Sequence, residues 1–324
     1  MAGRVPLRVC LFSGASSLPV RIADHLGLLA EAGLAPELHL TRGSRELVEG
    51  LLAGRYDVVH AAPDNFIEWT DRTGADIVSW IGGTSGPLQL IGSPELAGVA
   101  DLAGRGIAVD SPDSGFVSVL MKIVRAGGLA AEDVSLVPLG STQLRYEALM
   151  AGRTAATMLA LPWSAMALEA GFSLLGDRDH VLPGLQGSCG ASLRTWLAAH
   201  PDTADSYLKA LCAAITWLNH PANLQDANRY ICETYGTTPT LADAVRRSIM
   251  DPRTGWSPSA FIDPAGMETV CRLRTENGRP PDGPPATYYS LEPYRRVFGF
   301  GLRPCADQPP ETSEVGAECE TATC

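Results

Sequence analysis

The chain contains the heptapeptide Glu49-Gly50-Leu51-Leu52-Ala53-Gly54-Arg55, and a close copy returns as Glu147-Ala148-Leu149-Met150-Ala151-Gly152-Arg153. Two shorter matches precede it in the same order and at a nearly constant offset. They pair Gly33–Glu37 with Gly128–Glu132, and Gly43-Ser44 with Gly140-Ser141. Ala, Gly and Leu are common here, but three ordered matches make chance the weaker explanation. A period well above the roughly 20–50 residues of a solenoid repeat predicts two related lobes.

Each copy of the repeat has the pattern strand, loop, helix, strand, helix, strand. The strands are predicted at Leu7–Phe12, Glu37–Leu40, Tyr56–Ala61, Gly106–Val109, Val134–Leu139 and Ala155–Leu161. A helix is predicted from Pro19 to about Ala32, with Gly33 as the left-handed residue that closes it. Alternating strands and helices of these lengths indicate parallel sheets covered by helices.

The pattern therefore predicts an α/β protein with two lobes, each a parallel-rich sheet covered by helices, and a cleft between them. Lobe I is assigned residues 1–92 and 186–302, because Ser188–Leu193 looks like a strand that returns to the first lobe. Lobe II is assigned residues 93–185. Residues 303–324 are acidic and almost free of large apolar side chains, so a disordered tail is predicted there.

Composition restricts the expected partners. The chain has 324 residues and a formal net charge of -11. An acidic protein repels phosphate, so no nucleic-acid partner is expected. No apolar run approaches the roughly 20 residues of a membrane span. The eight cysteines are scattered without a C-x-x-C pair, and nucleotide-binding motifs are absent, so neither a metal nor a cofactor is expected.

The N-terminal segment bears on localisation. Met1–Pro6 is too short to hold a signal peptide before the first predicted strand. The sequence as it stands is therefore expected to be cytoplasmic. If a signal peptide precedes the given start, a periplasmic or extracellular location is expected instead.

Ligands of open parallel sheets lie beyond the carboxyl ends of the strands, and two facing lobes bring several such loops to one cleft. Many of these loops open helices, whose free backbone N–H groups and dipole favour an anionic or zwitterionic organic ligand. The candidate ligand-binding residues are Ser13, Gly14, Ser16, Ser17, His60, Asp64, Asn65, Asp110, Asp113, Ser114, Ser141, Thr142, Arg145 and Trp163.

Several candidates have a purely structural alternative. His60 is either a base or ligand donor, or a hydrogen-bonded structural histidine. Arg145 either holds a carboxylate or sulfonate, or is a solvated helix residue. Trp163 either stacks on an aromatic ligand or packs in the core. Cys189 is expected to be buried and not nucleophilic, because nothing in the sequence indicates a depressed pKa.

The acidic candidates carry the same ambiguity. Asp64 either binds a cationic ligand group or tunes His60, or it caps a helix. Asn65 either reads a carboxylate or carbonyl, or has a structural role in the first helical turn. Asp110 and Asp113 are either an acid and base pair with separated pKa values, or a hinge residue and a helix cap.

Five stretches resemble one known family. They are Phe12-Ser13-Gly14, Gly27-Leu28-Leu29, Gly54–Val58, Asp101–Asp110 and Leu149–Arg153. The most specific is Asp101-Leu102-Ala103-Gly104-Arg105-Gly106-Ile107-Ala108-Val109-Asp110. The chain resembles the NMT1/THI5-like substrate-binding proteins of ABC transporters for nitrate, sulfonate, taurine and thiamine precursors.

The resemblance covers roughly Leu7–Leu218 and implies a type II periplasmic-binding-protein-like fold, whose lobes close on a small-molecule ligand. It also implies an ABC-transporter permease as a partner. The leading hypothesis is therefore a solute-binding module that closes on a small anionic or zwitterionic molecule.

The same fold resembles cytoplasmic lyases, including decarboxylases, desulfinases and dehydratases. The alternative hypothesis is such an enzyme, with His60 and either Asp64 or Asp110 as its acid–base residues. A ligand-sensing domain is a third hypothesis, although the sequence shows no attached DNA-binding or kinase segment.

Overall fold

The protein is built on ten strands and fourteen α-helices within residues 3–299, the part that the computed structural model describes. The strands are β1 (Val5–Leu11), β2 (Leu34–Leu40), β3 (Val58–Ala61), β4 (Ile77–Gly82), β5 (Leu88–Gly92), β6 (Gly106–Val109), β7 (Ser135–Pro138), β8 (Ala156–Ala160), β9 (Ser173–Asp177) and β10 (Cys189–Leu193). The helices are α1 (Leu18–His25), α2 (Leu28–Glu31), α3 (Ser44–Leu52), α4 (Pro63–Thr73), α5 (Gly115–Ala126), α6 (Thr142–Met150), α7 (Trp163–Glu169), α8 (Arg178–Val181), α9 (Arg194–Ala199), α10 (Pro201–Asn219), α11 (Leu224–Tyr235), α12 (Pro239–Ile249), α13 (Pro264–Glu276) and α14 (Glu292–Phe298).

The strands form two five-stranded sheets with the same plan. The first has the order β2-β1-β3-β10-β4 and the second the order β7-β6-β8-β5-β9. In each sheet four strands run in the same direction, and the strand that stands fourth in the order, β10 or β5, is antiparallel to both of its neighbours. The repeat in the sequence thus corresponds to a repeat in the structure, because β1–α3–β3 and β6–α6–β8 occupy equivalent places.

Two connections cross between the sheets. The chain passes from β4 to β5 through residues 83–87, and returns from β9 to β10 through residues 178–188. Strand β5, which the predicted boundaries put in lobe I, pairs with β8 and β9 of the second sheet. The second sheet therefore begins before residue 93. The predicted tail at 303–324 and residues 300–302 of lobe I lie outside the described residues.

The predicted helix from Pro19 to Ala32 is two helices. Gly27 has a left-handed backbone with φ of 74° and separates α1 from α2. Gly33, with φ of 83°, then closes α2 before β2 begins. A left-handed residue costs glycine little, so the interruption at Gly27 is inexpensive.

The buried core of the first lobe supports the side chains that line the cleft. Every residue of β3 and β4 is buried. Trp80 on β4 is fully buried and donates its Nε1–H to Ser192 Oγ at 3.0 Å. The ring of Tyr207, on α10, lies 6.2 Å from that of Trp80. Dense packing of this kind gives the side chains above it a defined position.

Candidate ligand-binding cleft

The loops that follow the parallel strands of both sheets meet in one cleft, which holds two adjoining cavities of about 90 and 80 Å³. They share a wall formed by Ser16, Ala62, Phe116, Ala160, Gly187 and Ser188. We call the smaller one the polar compartment, because its wall includes His60, Asn65, Asp110, Thr142 and Arg145. We call the larger one the apolar compartment, because its wall includes Val119, Leu161, Leu185, Ile249, Val270 and Leu273. Each cavity has room for several water molecules or for part of an organic ligand.

Eleven of the fourteen candidate residues line these compartments. Those in the polar compartment are Ser13, Gly14, Ser16, Ser17, His60, Asn65, Asp110, Ser114, Thr142 and Arg145. Asp64 lines the apolar compartment, and Ser16 lines both. The structure therefore brings together residues from four segments that are distant in sequence.

Three candidates lie outside both compartments. Ser141 is the N-cap of α6, where its hydroxyl accepts a hydrogen bond from the backbone N–H of Leu144. Trp163 is buried, with the rings of Tyr146 and Tyr235 at 5.3 and 6.2 Å. It therefore packs in the core against protein side chains, with its ring tilted to that of Tyr146 and edge-on to that of Tyr235.

Asp113 is the third of these residues. It is partly exposed, and its carboxylate lies 3.4 Å from Arg72 and 3.8 Å from Arg45. It also accepts a hydrogen bond from Ser111 Oγ at 2.6 Å. These partners hold the Asp113 side chain in a surface cluster, so Asp113 and Asp110 do not form a pair of carboxylates facing the cleft.

Arg145, on α6, forms the cationic wall of the polar compartment and is only 1% exposed. Its Nε donates to the Gly140 carbonyl at 3.0 Å, and its Nη1 donates to the Met158 carbonyl at 2.6 Å. Further bonds reach the hydroxyls of Thr157 at 3.2 Å and Thr142 at 3.1 Å. These bonds hold the guanidinium in a fixed position. The alternative, a solvated helix arginine, requires an exposed side chain and does not agree with this burial.

The charge of Arg145 has no direct counter-ion, since no carboxylate within residues 3–299 forms an ion pair with it. Burial lowers the pKa of Arg145 to about 10, and the more distant charge of Asp110 opposes that shift. Arg145 therefore stays charged at neutral pH. A buried charge without a direct ion-pair partner is costly, so an anion against the guanidinium of Arg145 would be stabilised.

His60 is the penultimate residue of β3 and is almost fully buried. Its Nε2 lies 2.9 Å from the hydroxyl of Tyr207. Its Nδ1 has no hydrogen-bond partner among the described residues, and the side chain lines the polar compartment. Burial lowers the pKa of His60 to about 4. A neutral imidazole fits a hydrogen-bonding role, and it is a weak base at neutral pH.

Asp64, in the first turn of α4, belongs to a buried ion-pair network. Its Oδ1 lies 2.7 Å from Arg274 Nη1, and its Oδ2 lies 4.0 Å from Arg279 Nη2. Arg274 also pairs with Glu68 at 2.9 Å. The negative charge of Asp64 is thus compensated by protein cations. Asp64 forms no hydrogen bond with His60.

Direct hydrogen bonds join the two sides of the cleft. Asp110 Oδ2 accepts from the backbone N–H of Ser44 at 3.2 Å. The Asn65 Oδ1 accepts from the backbone N–H of Gly115 at 3.2 Å. Because each bond links one sheet's loops to the other's, the structure shows the lobes in a closed arrangement. Asp110 and Asn65 therefore each connect the two lobes through one hydrogen bond.

The sequence from residue 4 to residue 232 matches the model of the NMT1-like family. The chain belongs to the NMT1-like family. The resemblance that Asp101–Asp110 and the other stretches indicated is thereby confirmed. No curated protein sequence matches the chain significantly.

Solved structures share the fold of this NMT1-like chain. A protein from Bordetella bronchiseptica RB50 has a TM-score of 0.76 and 21% identity, covering 91% of this chain and 97% of its own. The alkanesulfonate-binding protein SsuA from Xanthomonas axonopodis pv. citri, bound to MOPS, has a TM-score of 0.66 and 21% identity, covering 76% and 85%. The periplasmic nitrate-binding protein NrtA from Synechocystis PCC 6803 has a TM-score of 0.71 and 13% identity, covering 91% and 88%. At these identities the likeness establishes the periplasmic-binding-protein-like fold, as predicted.

Several residues of the cleft in this NMT1-like chain were absent from the sequence prediction. Phe116, the second residue of α5, lines both compartments, and it ends the loop Asp110–Phe116 that the sequence predicts at the cleft, although it is not among the fourteen candidate residues. Arg178, Gln186 and Ser188 come from the connection between β9 and β10. Nothing in their local sequence indicates a cleft, because only the return of the chain to the first sheet puts them there.

Residues 3–299 contain neither a membrane-spanning helix nor a cluster of metal ligands. No helix there combines the length and apolar character needed to cross a membrane. No group of three or more His, Cys, Asp or Glu side chains in that range is arranged to hold a metal ion.

Proposed function

We propose that the protein is a solute-binding module whose lobes close on a small organic anion or zwitterion, with the anionic group against Arg145. The observation that carries this proposal is the buried, rigidly held guanidinium of Arg145, which lines the polar compartment without a direct counter-ion. A ligand anion would supply that counter-ion. Charge-assisted hydrogen bonds of this kind are about twice as strong as neutral ones.

The fold relatives support an anionic ligand. One is named as an alkanesulfonate-binding protein and another as a nitrate-binding protein. We extend to this chain their general role, capture of a small solute for an ABC import system, with a permease as the partner. A periplasmic or extracellular location follows from that role and is part of the proposal.

The enzyme alternative receives less support from the cleft. It requires His60 to act as a base with Asp64 or Asp110. Instead, His60 pairs with Tyr207, Asp64 pairs with Arg274, and Asp110 accepts from the Ser44 backbone. With its pKa lowered to about 4, His60 also has little basicity at neutral pH.

A thermal-shift assay of the purified protein with small carboxylates, sulfonates and pyrimidines tests the proposal. A ligand that binds the folded state raises the melting temperature, by an amount that grows with ligand concentration. Chromatography of the incubated ligand then separates the hypotheses. Recovery of the ligand unchanged supports a binding module, whereas consumption of the ligand would establish an enzyme.

The matched variants are Arg145→Gln and Arg153→Gln. Arg153 is exposed, lies in the same lobe, and lines neither compartment. We expect Arg145→Gln to weaken anion binding at least about tenfold, the loss of one charge-assisted hydrogen bond, and Arg153→Gln to leave it unchanged. Circular dichroism checks the fold of both. Equal affinity of a folded Arg145→Gln variant and the wild type would refute the role of Arg145.

A further inference from the structure

Arg178 is a second buried arginine at the cleft. It is the first residue of α8, on the connection that returns from β9 to β10. Its side chain is only 3% exposed and lines the apolar compartment. A cation is unexpected in a cavity whose wall is mostly aliphatic, because burying a charge is expensive without full compensation.

The compensation that Arg178 receives is incomplete. Its Nε and Nη2 both bond to Oδ1 of Asp179, whose side chain is 44% exposed to solvent. A solvated carboxylate screens a buried cation only in part. The remaining nitrogen, Nη1, has no hydrogen-bond partner among the described residues. One face of the guanidinium is therefore available for another acceptor.

Gly187 lies beside that nitrogen at a close approach of the backbone. A Cβ atom at position 187 would lie 3.1 Å from Arg178 Nη1, 2.8 Å from the Cα of Ser85 and 2.9 Å from the carbonyl oxygen of Thr84. Gly187 also lines both compartments. A larger residue at position 187 would therefore clash with the backbone of Thr84 and Ser85 and would crowd the free donor of Arg178.

We propose that Arg178 is a second anion subsite, and that the ligand is an organic dianion with an apolar body and an anionic group at each end. This inference rests on the proposed function, because it takes the first anionic group to lie at Arg145. The apolar body would lie along Phe116 and the aliphatic wall of the apolar compartment. Dicarboxylates and sulfocarboxylates belong to this class.

Asp64 also lines the apolar compartment and would favour a cationic group instead. Its carboxylate is already matched by Arg274 at 2.7 Å and by Arg279 at 4.0 Å. Asp64 thus has two cationic partners in the protein, whereas the one carboxylate that pairs with Arg178 is 44% exposed to solvent. A zwitterion with the same body should gain nothing from its ammonium group.

Calorimetric titration with two matched series tests the inference. The aromatic series is benzoate, terephthalate and 4-(aminomethyl)benzoate, and the aliphatic pair is hexanoate and adipate. The variants are Arg178→Gln, Arg178→Lys, which retains the charge if the glutamine variant fails to fold, and Arg253→Gln. Arg253 is 88% exposed and lines neither compartment, although it lines a surface groove that Arg178 also lines. Circular dichroism checks each fold.

In at least one series we expect the wild type to bind the diacid about tenfold or more tightly than the monoacid, the effect of one charge-assisted contact. Arg178→Gln should abolish that gain without weakening the monoacid, Arg178→Lys should retain part of it, and Arg253→Gln should keep all of it.

Four results would overturn the inference. If monoacids bind and diacids gain nothing, or if Arg178→Gln leaves the gain intact, the second subsite fails while the proposed function stands. If 4-(aminomethyl)benzoate binds more tightly than terephthalate, Asp64 and not Arg178 governs the compartment. If the wild type binds none of the five acids, both this inference and the proposed function fail for carboxylates.

Discussion

The stability of the protein should depend on the protonation of His60. The imidazole is buried against Tyr207, and burial lowers its pKa from 6.5 to about 4. Between those two values the unfolded chain binds a proton that the folded protein excludes. The stabilisation of the folded state that goes with a neutral, buried His60 is thus fully present above pH 6.5. It is lost as the pH falls toward 4.

The size of the effect follows from that pKa shift. Linkage gives a loss of about 2 kcal/mol between about pH 7.5 and about pH 5, and about 3 kcal/mol once the pH lies below about 4. His60→Gln keeps a side-chain amide near Tyr207 but cannot titrate. The variant should therefore lose about 2 kcal/mol less than the wild type over the same interval.

Urea unfolding at several pH values, without ligand, measures the difference directly. Tyr207→Phe is the matched control, because it removes the hydroxyl that lies 2.9 Å from His60 while leaving the imidazole buried. We expect that variant to be about 1 kcal/mol less stable at every pH, with the pH dependence kept. Equal losses in the wild type and in His60→Gln would refute the assignment of a buried, neutral His60.

Two further predictions concern the walls of the first lobe. Gly82→Ala should destabilise the protein by about 3 kcal/mol or more, because the new Cβ would lie 1.9 Å from the carbonyl oxygen of Phe261. Chemical unfolding should show Gly98→Ala within about 0.5 kcal/mol of the wild type, since nothing lies within 4 Å of that position; a stable Gly82→Ala variant would contradict the packing. The thiol of Cys189 should resist iodoacetamide at about pH 8 in the native protein and react after unfolding, because burial raises its pKa to about 12 and Ser79 Oγ lies 3.2 Å from it. Mass spectrometry of labelled peptides measures this, and rapid native labelling would show an accessible thiolate.

The repeat in the sequence was enough to predict the two sheets, because each half of the repeat buries its own alternating strands and helices. Two details of the fold could not be predicted from the repeat. Strand β5 follows β4 after only a short connection, so its sequence resembles a continuation of the first lobe. The break at Gly27 depends on one left-handed residue inside an otherwise helical pattern.

The sequence predicted those site residues whose positions follow from one rule of sheet geometry. Loops after parallel strands meet at one edge, and that rule located Arg145 and His60. The rule failed for Trp163. A residue in the first turn of a helix can face either the cleft or the core, and Trp163 packs against Tyr146 in the core. Arg178 was missed because its place depends on where the connection between the sheets runs.

The arrangement of the two sheets has a consequence for how the protein is made. All five strands of the second sheet lie in one uninterrupted stretch, from Leu88 to Asp177. The first sheet is split around that stretch and lacks β10 until Leu193 has been synthesised. On the ribosome, the second sheet can be completed while the first still has a gap between β3 and β4. The lobe whose synthesis begins first therefore receives its final strand last, after all five strands of the other lobe have been synthesised.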